Sequence, residues 1–580
     1  MGGDAASRGP EVGPRVVRIR ADEPALDKLF DYLAPDDVRV GDVVRIDLHG
    51  RRLGGWVVDV DVEPPAGVDL KPLAKVSGWG PSRDLVDLAD WAAWRWAGQP
   101  PHFLRTATAA SVVRGLPPAA RPASAQGVED ALAADALRAG RAVLRLPPSA
   151  DLFPLALQAA RLGPTLVVCS SHAQERHLAA RLRRAGLVVA AHPRDWAQAR
   201  AGAHVVIGAR AAAWAPCPDL AAVVVLDEHE EVHQEEASPT WHARDVAVER
   251  AARAGVPCVL TSPCPSLEAL AWGALVSPSR ADERAGWPVV DVVDRRREDP
   301  LRSDLYSEKL VDLVRSGRRL VCVLNRKGRA ALLVCAACSD LARCETCQSA
   351  VAMGESTLVC RRCATTRPVV CQSCGSGKLK QRRLGVSRAR EDLERLGRVP
   401  VGEVTGDSDD LPDTNVLVGT EAVLRRVDRA DAVAFLDLDA ELLAPRYRAG
   451  EEAMALVARA ARLVGGKAGG GRVLLQTRQP KHEVVQAALL ADPSRVSAVE
   501  RERRAILRLP PAAAVAHVSG APAAAYVEPL LGRIDVEVLG PAADGSYLVR
   551  AADVRTLCDA LDATPRPGGR LRVAVDPARL

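Results

Sequence analysis

Residues 221–236 read AAVVVLDEHEEVHQEE. The first six positions are apolar, and they run without a break into Asp227 and Glu228. An apolar run with no polar alternation marks a strand buried on both faces, as in a parallel sheet. A strand that delivers Asp-Glu at its end is also how nucleotide-driven motors hold Mg²⁺ and activate water. The stretch therefore raises two questions. Does its surroundings build a parallel α/β sheet, and does the rest of a nucleotide site accompany it?

Similar runs lie on both sides. GPTLVVCSS (163–171), AHVVIGAR (203–210) and PCVLTSP (257–263) alternate with helical stretches. A second series begins at RRLVCVLNR (318–326) and resumes with TNVLVGT (414–420), AVAFLDLD (432–439) and GRVLLQT (471–477). This alternation predicts two lobes, each a parallel sheet covered by helices. The first spans 128–296; the second spans 297–334 and 375–490. Ahead of them, RVVRIR, GDVVRIDL and GGWVVDVDV predict a small β-rich domain with a helical extension, 15–113. Trp91, Trp94 and Trp96 in that extension are read as core. RGLPPAARPASAQG (114–127) is a Pro/Ala-rich linker, and 500–580 is a small α+β domain.

The chain has 580 residues and a formal net charge of +5, enough length for several cores and too little charge to decide for or against nucleic acid. No apolar run reaches the roughly 20 residues that span a bilayer, and residues 1–14 carry no apolar stretch of a signal peptide. A cytoplasmic protein with no membrane partner is expected. In that compartment its 14 cysteines point to metal rather than disulfides.

Eight of these cysteines fall within 335–374 as four CxxC pairs: Cys335/Cys338, Cys344/Cys347, Cys360/Cys363 and Cys371/Cys374. Two such pairs complete a tetrahedral thiolate site, so four predict two Zn²⁺ ions, with iron–sulfur as the lesser alternative. A nested pairing suits the spacing. Cys344, Cys347, Cys360 and Cys363 close over a hairpin, and Cys335, Cys338, Cys371 and Cys374 clamp its base. A cross-brace of first with third and second with fourth stays open. Cys169, Cys217, Cys258, Cys264, Cys322 and Cys558 lie apart and are read as buried bystanders.

The order of these pieces carries a resemblance. VVIGARAAAWAPCPDLAAVVVLDEHEE (205–231), SPTWHARDVAVERA (238–251), VLTSPCPSLEAL (259–270) and CVLNRKGRAALLVCAAC (322–338), with the cysteine spacing and FLDLDAELLAPRYRAGEEA (435–453), resemble the PriA family of primosomal replication-restart helicases. The resemblance implies an α/β multidomain chain: two RecA-like, superfamily-2 helicase-like lobes, a β-rich N-terminal domain, a two-zinc insertion and an α+β C-terminal domain. It implies a monomer that binds branched forks and 3′ DNA ends. The implied partners are primosome and replicative-helicase-loading proteins and single-stranded-DNA-binding protein. The family's 3′-end pocket falls on Phe30, Asp31, Gly50 and Lys71.

The nucleotide machinery departs from the family. The phosphate loop should follow the strand near 141–146, where the sequence is AVLRLPPSADLFPLAL. Pro147 and Pro148 lack N–H donors for a phosphate cradle, Asp151 stands at the lysine position, and Leu152 at the Mg²⁺-ligand position. If Asp151 faces the phosphates, each unit-charge pair at ~4 Å and dielectric ~20 is worth about 4 kcal/mol, now of the wrong sign. Asp-Glu-Glu-His reads Asp227-Glu228-His229-Glu230, and Ser-Ala-Thr reads Ser262-Pro263-Cys264. RAARLVGGKAGGGR places Leu463 and Gly466 at the two arginine-finger positions, and the nearby arginines leave a shifted register open. Asp227 and Glu228 are then expected at a solvated strand end, with no catalytic residue and no ATP/Mg²⁺ binding in the usual mode. The expected product is a DNA-binding scaffold without helicase activity. The alternatives are a helicase with an atypical nucleotide site, or a zinc-ribbon docking module unrelated to replication.

Overall fold

The computed structural model describes residues 15–579 apart from 25, 27, 64–66, 122–128, 297–304, 326–331, 339, 382–384 and 406–409. Residues 122–127 of the 114–127 linker lie outside the described residues. The N-terminal domain is a five-stranded antiparallel sheet of β1 (Arg15–Ala21), β2 (Leu29–Ala34), β3 (Val43–Leu48), β4 (Arg51–Val60) and β5 (Lys75–Gly78), in the order β2-β1-β4-β3-β5. Val17, Ile19 and Ala21 alternate inward on β1, facing Val44, Ile46 and Val57. The two helices that follow, Arg83–Arg95 and Pro100–Ala107, join Trp56 of β4 to the core of the first lobe.

Lobe one contains β6 (Arg141–Arg145), β7 (Thr165–Val168), β8 (Val189–Ala191), β9 (Val205–Gly208), β10 (Ala222–Val225), β11 (Cys258–Ser262) and β12 (Ala274–Val276). They form one parallel sheet in the order β12-β6-β11-β10-β7-β9-β8. Helices cover both faces, which is why β7, β9, β10 and β11 are buried throughout. Because β11 lies between β6 and β10, the Asp227 end and the proline loop are held one strand apart.

Lobe two is a six-stranded parallel sheet. Its strands are β13 (Val289–Asp294), β14 (Leu320–Val323), β20 (Val401–Val404), β21 (Val416–Gly419), β22 (Ala432–Phe435) and β23 (Arg472–Thr477), in the order β13-β23-β22-β14-β21-β20. The chain adopts the expected pair of RecA-like lobes. Two boundaries differ from the expectation. Residues 289–294 belong to lobe two, because β13 pairs with β23 along its whole length; its sequence, VVDVVD, does not say which sheet it joins. The helix Ser494–Leu507 packs on Ala449–Val464 and Glu483–Leu490, so a domain start at 500 cuts through an element of lobe two.

Between β14 and β20 sit β15 (Leu333–Cys335), β16 (Val351–Met353), β17 (Thr357–Cys360), β18 (Thr366–Pro368) and β19 (Leu379–Gln381), in sheets of two and three strands. The C-terminal sheet has β24 (Ala514–Ser519), β25 (Val536–Leu539), β26 (Tyr547–Ala551) and β27 (Arg572–Val575) in the order β25-β26-β24-β27. Its apolar residues join one continuous core with the N-terminal helices and one face of the lobe-one sheet. Trp96 and Trp214 lie in that core, and Trp94 donates its Nε1–H to Asp559 at 2.9 Å. Among the described residues no helix is long and apolar enough to cross a membrane.

Candidate functional site

The end of β10 is the centre of the cleft between the lobes. Asp227 follows the buried run directly and takes a left-handed backbone, φ 52°. Its N–H donates to Thr261 Oγ1 at 3.1 Å and the N–H of Glu228 to Thr261 O at 2.9 Å, so β11 fixes both acids from the side. Neither lies at a solvated strand end; each is 1% exposed. That corrects the sequence expectation, and the reason is lobe two, which closes over the strand end.

The closing residues are two arginines on the helix Ala449–Val464. Arg462 donates Nη1 and Nη2 to the Asp227 carboxylate at 2.7 and 2.6 Å, and Nε to Pro148 O at 3.2 Å. Arg459 forms a second two-pronged pair with Glu230, with Nε to Oε1 at 3.1 Å. Positions three apart share a helix face. Two arginines thus reach the cleft about one helical turn before Leu463 and Gly466, in the shifted register that the sequence left open. The signal was legible as ARAAR at 458–462; alignment on the later glycines hid it.

Gln174 Nε2 and Ser170 Oγ also donate to Asp227, at 2.9 and 3.2 Å. Burial pushes this carboxyl up, but the Arg462 charge and hydrogen bonds outweigh it and hold the group well below the usual carboxylate range. Glu230 is lowered by the same balance, with Arg459 as its main partner. Glu228 accepts from Ser266 N–H and Oγ, each at 2.8 Å, and from Arg244 Nη1 at 3.3 Å. His229 Nδ1 lies 2.8 Å from Ser262 Oγ, which keeps the β10 end tied to that of β11. Both acids that could serve Mg²⁺ and water are engaged by protein donors.

The loop after β6 holds a second correction. Asp151 does not face the cleft. Its two oxygens accept from Arg181 at 2.6 and 2.7 Å, and one also accepts the Phe153 N–H at 3.1 Å, at the start of the helix Phe153–Leu162. The repulsion expected from Asp151 is thus neutralised by Arg181. The loop packs on the segment at Gly286: Ser149 Oγ donates to Gly286 O at 2.8 Å, and a Cβ at Gly286 would lie 2.5 Å from Pro147. A Cβ at Gly466 would come within 3.3 Å of both Gly286 Cα and Ser149 Oγ, so the two glycines lie together against this loop.

The eight cysteines form two tetrads, Cys335/Cys338/Cys371/Cys374 and Cys344/Cys347/Cys360/Cys363, the nested arrangement, with all four Sγ of each within 4.8 Å of one another. Sγ–Sγ separations of 3.5 Å join Cys335 to Cys374, Cys338 to Cys371, Cys344 to Cys363 and Cys347 to Cys360. A tetrahedron with metal–sulfur bonds of about 2.3 Å has edges of roughly 3.8 Å, so a Zn²⁺ ion fits each set with little movement. Four thiolates leave no open position, so the chemistry such an ion supplies is structural. The inner tetrad also docks on lobe two. Ala350 N–H and Ser349 Oγ donate to Leu443 O at 2.9 and 3.3 Å, and Arg343 Nη1 to Gln479 Oε1 at 3.1 Å.

In the N-terminal domain, Phe30 and Asp31 lie on edge strand β2. Phe30 is half-buried against the sheet core. Asp31 takes both N–H donors of Arg18 at 2.8 and 3.0 Å across the β1–β2 pair, a partner the sequence did not flag. Lys71 is exposed, and its carbonyl accepts the Leu33 N–H at 2.9 Å, so its segment runs beside β2. Gly50 sits at the β3–β4 turn with φ 76°, where a side chain is disfavoured. Tyr32 Oη donates to Asp47 O at 3.1 Å and links that hairpin to β2.

Residues 17–109 match the family model described as PriA 3′DNA-binding domain (3′BD). A probable replication restart protein PriA from Mycobacterium tuberculosis is 29% identical over 591 residues, covering 89% of both chains. The replication restart protein PriA of Bacillus subtilis is 27% identical over 383 residues, covering 58% of this chain and 47% of that one. Among solved structures, Saccharomyces cerevisiae Dbp5 bound to RNA and ADP BeF3 aligns over 65% of this chain and 94% of its own, at 11% identity and a TM-score of 0.37. Along nearly nine tenths of its length, this chain is similar to proteins described as replication restart protein PriA, and its first domain matches the model of their 3′-DNA-binding domain.

Proposed function

We propose that this protein acts in replication restart as a DNA-binding scaffold that recognises branched DNA with a free 3′ end and does not turn over ATP. The match of residues 17–109 to a 3′-DNA-binding domain carries this reading. Phe30 offers a face for the terminal base, Asp31 keeps lone pairs for a 3′-hydroxyl beside Arg18, and exposed Lys71 meets a phosphate. Each cysteine tetrad holds one structural Zn²⁺ ion and presents the insertion to DNA or to primosome and helicase-loading partners. The setting is the cytoplasm, where single-stranded-DNA-binding protein is a further candidate partner.

Loss of ATP turnover is supported by the two prolines and by the engagement of Asp227 and Glu228. The retained arginine pair favours a second reading, a working ATPase with an unusual loop. Zinc-loaded protein should bind forks bearing a 3′-hydroxyl more tightly than forks bearing a 3′-phosphate or blunt duplex, and should show no fork-stimulated ATP hydrolysis. Equal affinity for all three DNAs overturns the end-binding reading; stimulated hydrolysis restores the motor.

A further inference from the structure

We infer that Arg459 and Arg462 act as a built-in latch that joins the two lobes into one permanently closed body, with the guanidinium groups taking up the acids that a nucleotide–metal complex would otherwise bridge. In a motor of this architecture the lobes are joined through the nucleotide, and the joint makes and breaks with each turnover. Here Arg462 spans the same gap by itself, from Pro148 O on the loop after β6 to both oxygens of Asp227 at the end of β10. One turn away, Arg459 neutralises Glu230. Two cations meet two anions, so the charges of this arginine pair are taken up by carboxylates of the other lobe.

A second layer repeats the arrangement. Arg448 of lobe two pairs with Glu268 of lobe one at 2.8 Å, and Leu267 N–H of lobe one donates to Glu451 of lobe two at 3.0 Å. Arg504 sits between Glu268 and Glu451 and contacts both. The C-terminal segment crosses the same mouth. Gln234 of lobe one donates to Asp576 O at 3.0 Å, and Tyr447 Oη of lobe two to Pro577 O at 2.9 Å. Lobe movement would break several of these charge pairs at once. The consequence for function is a fixed separation between the N-terminal domain and the tetrad insertion, set by the protein and indifferent to nucleotide. This goes beyond the scaffold reading, since a scaffold could equally have freely moving lobes.

The test uses the full-length, zinc-loaded protein. Small-angle scattering of the wild type should not change when Mg·ATP is added, and thermal unfolding should show the lobes melting together. The double variant Arg459→Gln/Arg462→Gln should give a larger radius of gyration and split the melt into two transitions, with zinc content and far-ultraviolet circular dichroism retained. Asp227→Asn is nearly isosteric and carries the test if the double variant aggregates. It should lower the melting temperature, and adding Arg462→Gln to it should cost nothing more. An unchanged scattering profile and a single transition in the arginine variant overturn the latch, as does fully additive loss in the Asp227/Arg462 pair or compaction of the wild type by Mg·ATP. Fork binding is measured separately, so a failed latch with intact DNA recognition leaves the scaffold reading standing.

Discussion

At the scale of single residues, Asp227 changes meaning most. Read along the chain it is a carboxylate at a solvated strand end with no catalytic task. In the fold it is a buried anchor accepting from Arg462, Gln174 and Ser170. Asp227→Ala is therefore expected to lower stability by about 2 kcal/mol rather than the larger penalty of stranding a fully buried charge. The reason for the smaller figure is that Arg462 keeps 39% of its side-chain surface open to water, which solvates the orphaned cation. Chemical denaturation of the two proteins checks it. Asp151 teaches the reverse lesson. Placing a lysine there with Asp151→Lys removes the Arg181 pair and should not confer equilibrium ATP binding, because Pro147 and Pro148 still lack N–H donors and Pro147 remains packed on Gly286. Calorimetric titration with Mg·ATP decides it; measurable affinity in that variant would put the electrostatic account ahead of the steric one.

At the scale of elements, the two tetrads differ although each is built from two CxxC pairs. Cys338 and Cys374 of the outer set are exposed, whereas the inner set is buried or half-buried and rests on lobe two through Leu443 and Gln479. Cys371→Ser is thus expected to halve the bound zinc with lobe two unaffected, while Cys344→Ser should also lower the unfolding temperature of lobe two. Metal analysis alongside calorimetry separates them, and full metal content in either variant removes the assignment. The same scale shows why the strands were readable and the partners of the arginines were not. The runs at β7, β9, β10, β11, β14 and β22 are apolar because both faces are covered, and that is visible in one dimension. Arg459 and Arg462 matter through the helix face they share and the partners opposite, and a linear alignment holds neither.

At the scale of the whole molecule, two buried histidines and one half-buried histidine are held neutral. Burial, helped by Arg250, pushes His192 down to about 4, and burial likewise lowers His233 and His242. A histidine whose folded pKa lies below its unfolded value of about 6.5 binds fewer protons when folded, so its contribution falls as pH drops through 6.5. For His192 the full loss is on the order of 3 kcal/mol. Asp227 and Glu230 run the other way in cause and the same way in outcome: their lowered values add stability above the ordinary carboxylate range and lose it only at more acid pH. Melting temperature should thus fall in two stages on acidification, the first between neutrality and pH ~5 and the second below ~4. A flat profile down to pH ~5 refutes the neutral-histidine account.

The sequence by itself determined the α/β class, the two lobes, the order of domains and the eight thiols, because hydrophobic period, turn residues and CxxC spacing are local properties of the chain. It also determined that Pro147 and Pro148 offer no N–H groups to a phosphate. Only the tertiary structure decided that β13 belongs to the second lobe, that Asp151 points to Arg181, and that Asp227 is bound by Arg462 across the cleft. Those outcomes depend on which groups meet through space once two separately formed sheets are packed together. A buried charge takes whichever opposite charge the packing brings to it, and that choice is made at the interface between the lobes rather than along the chain.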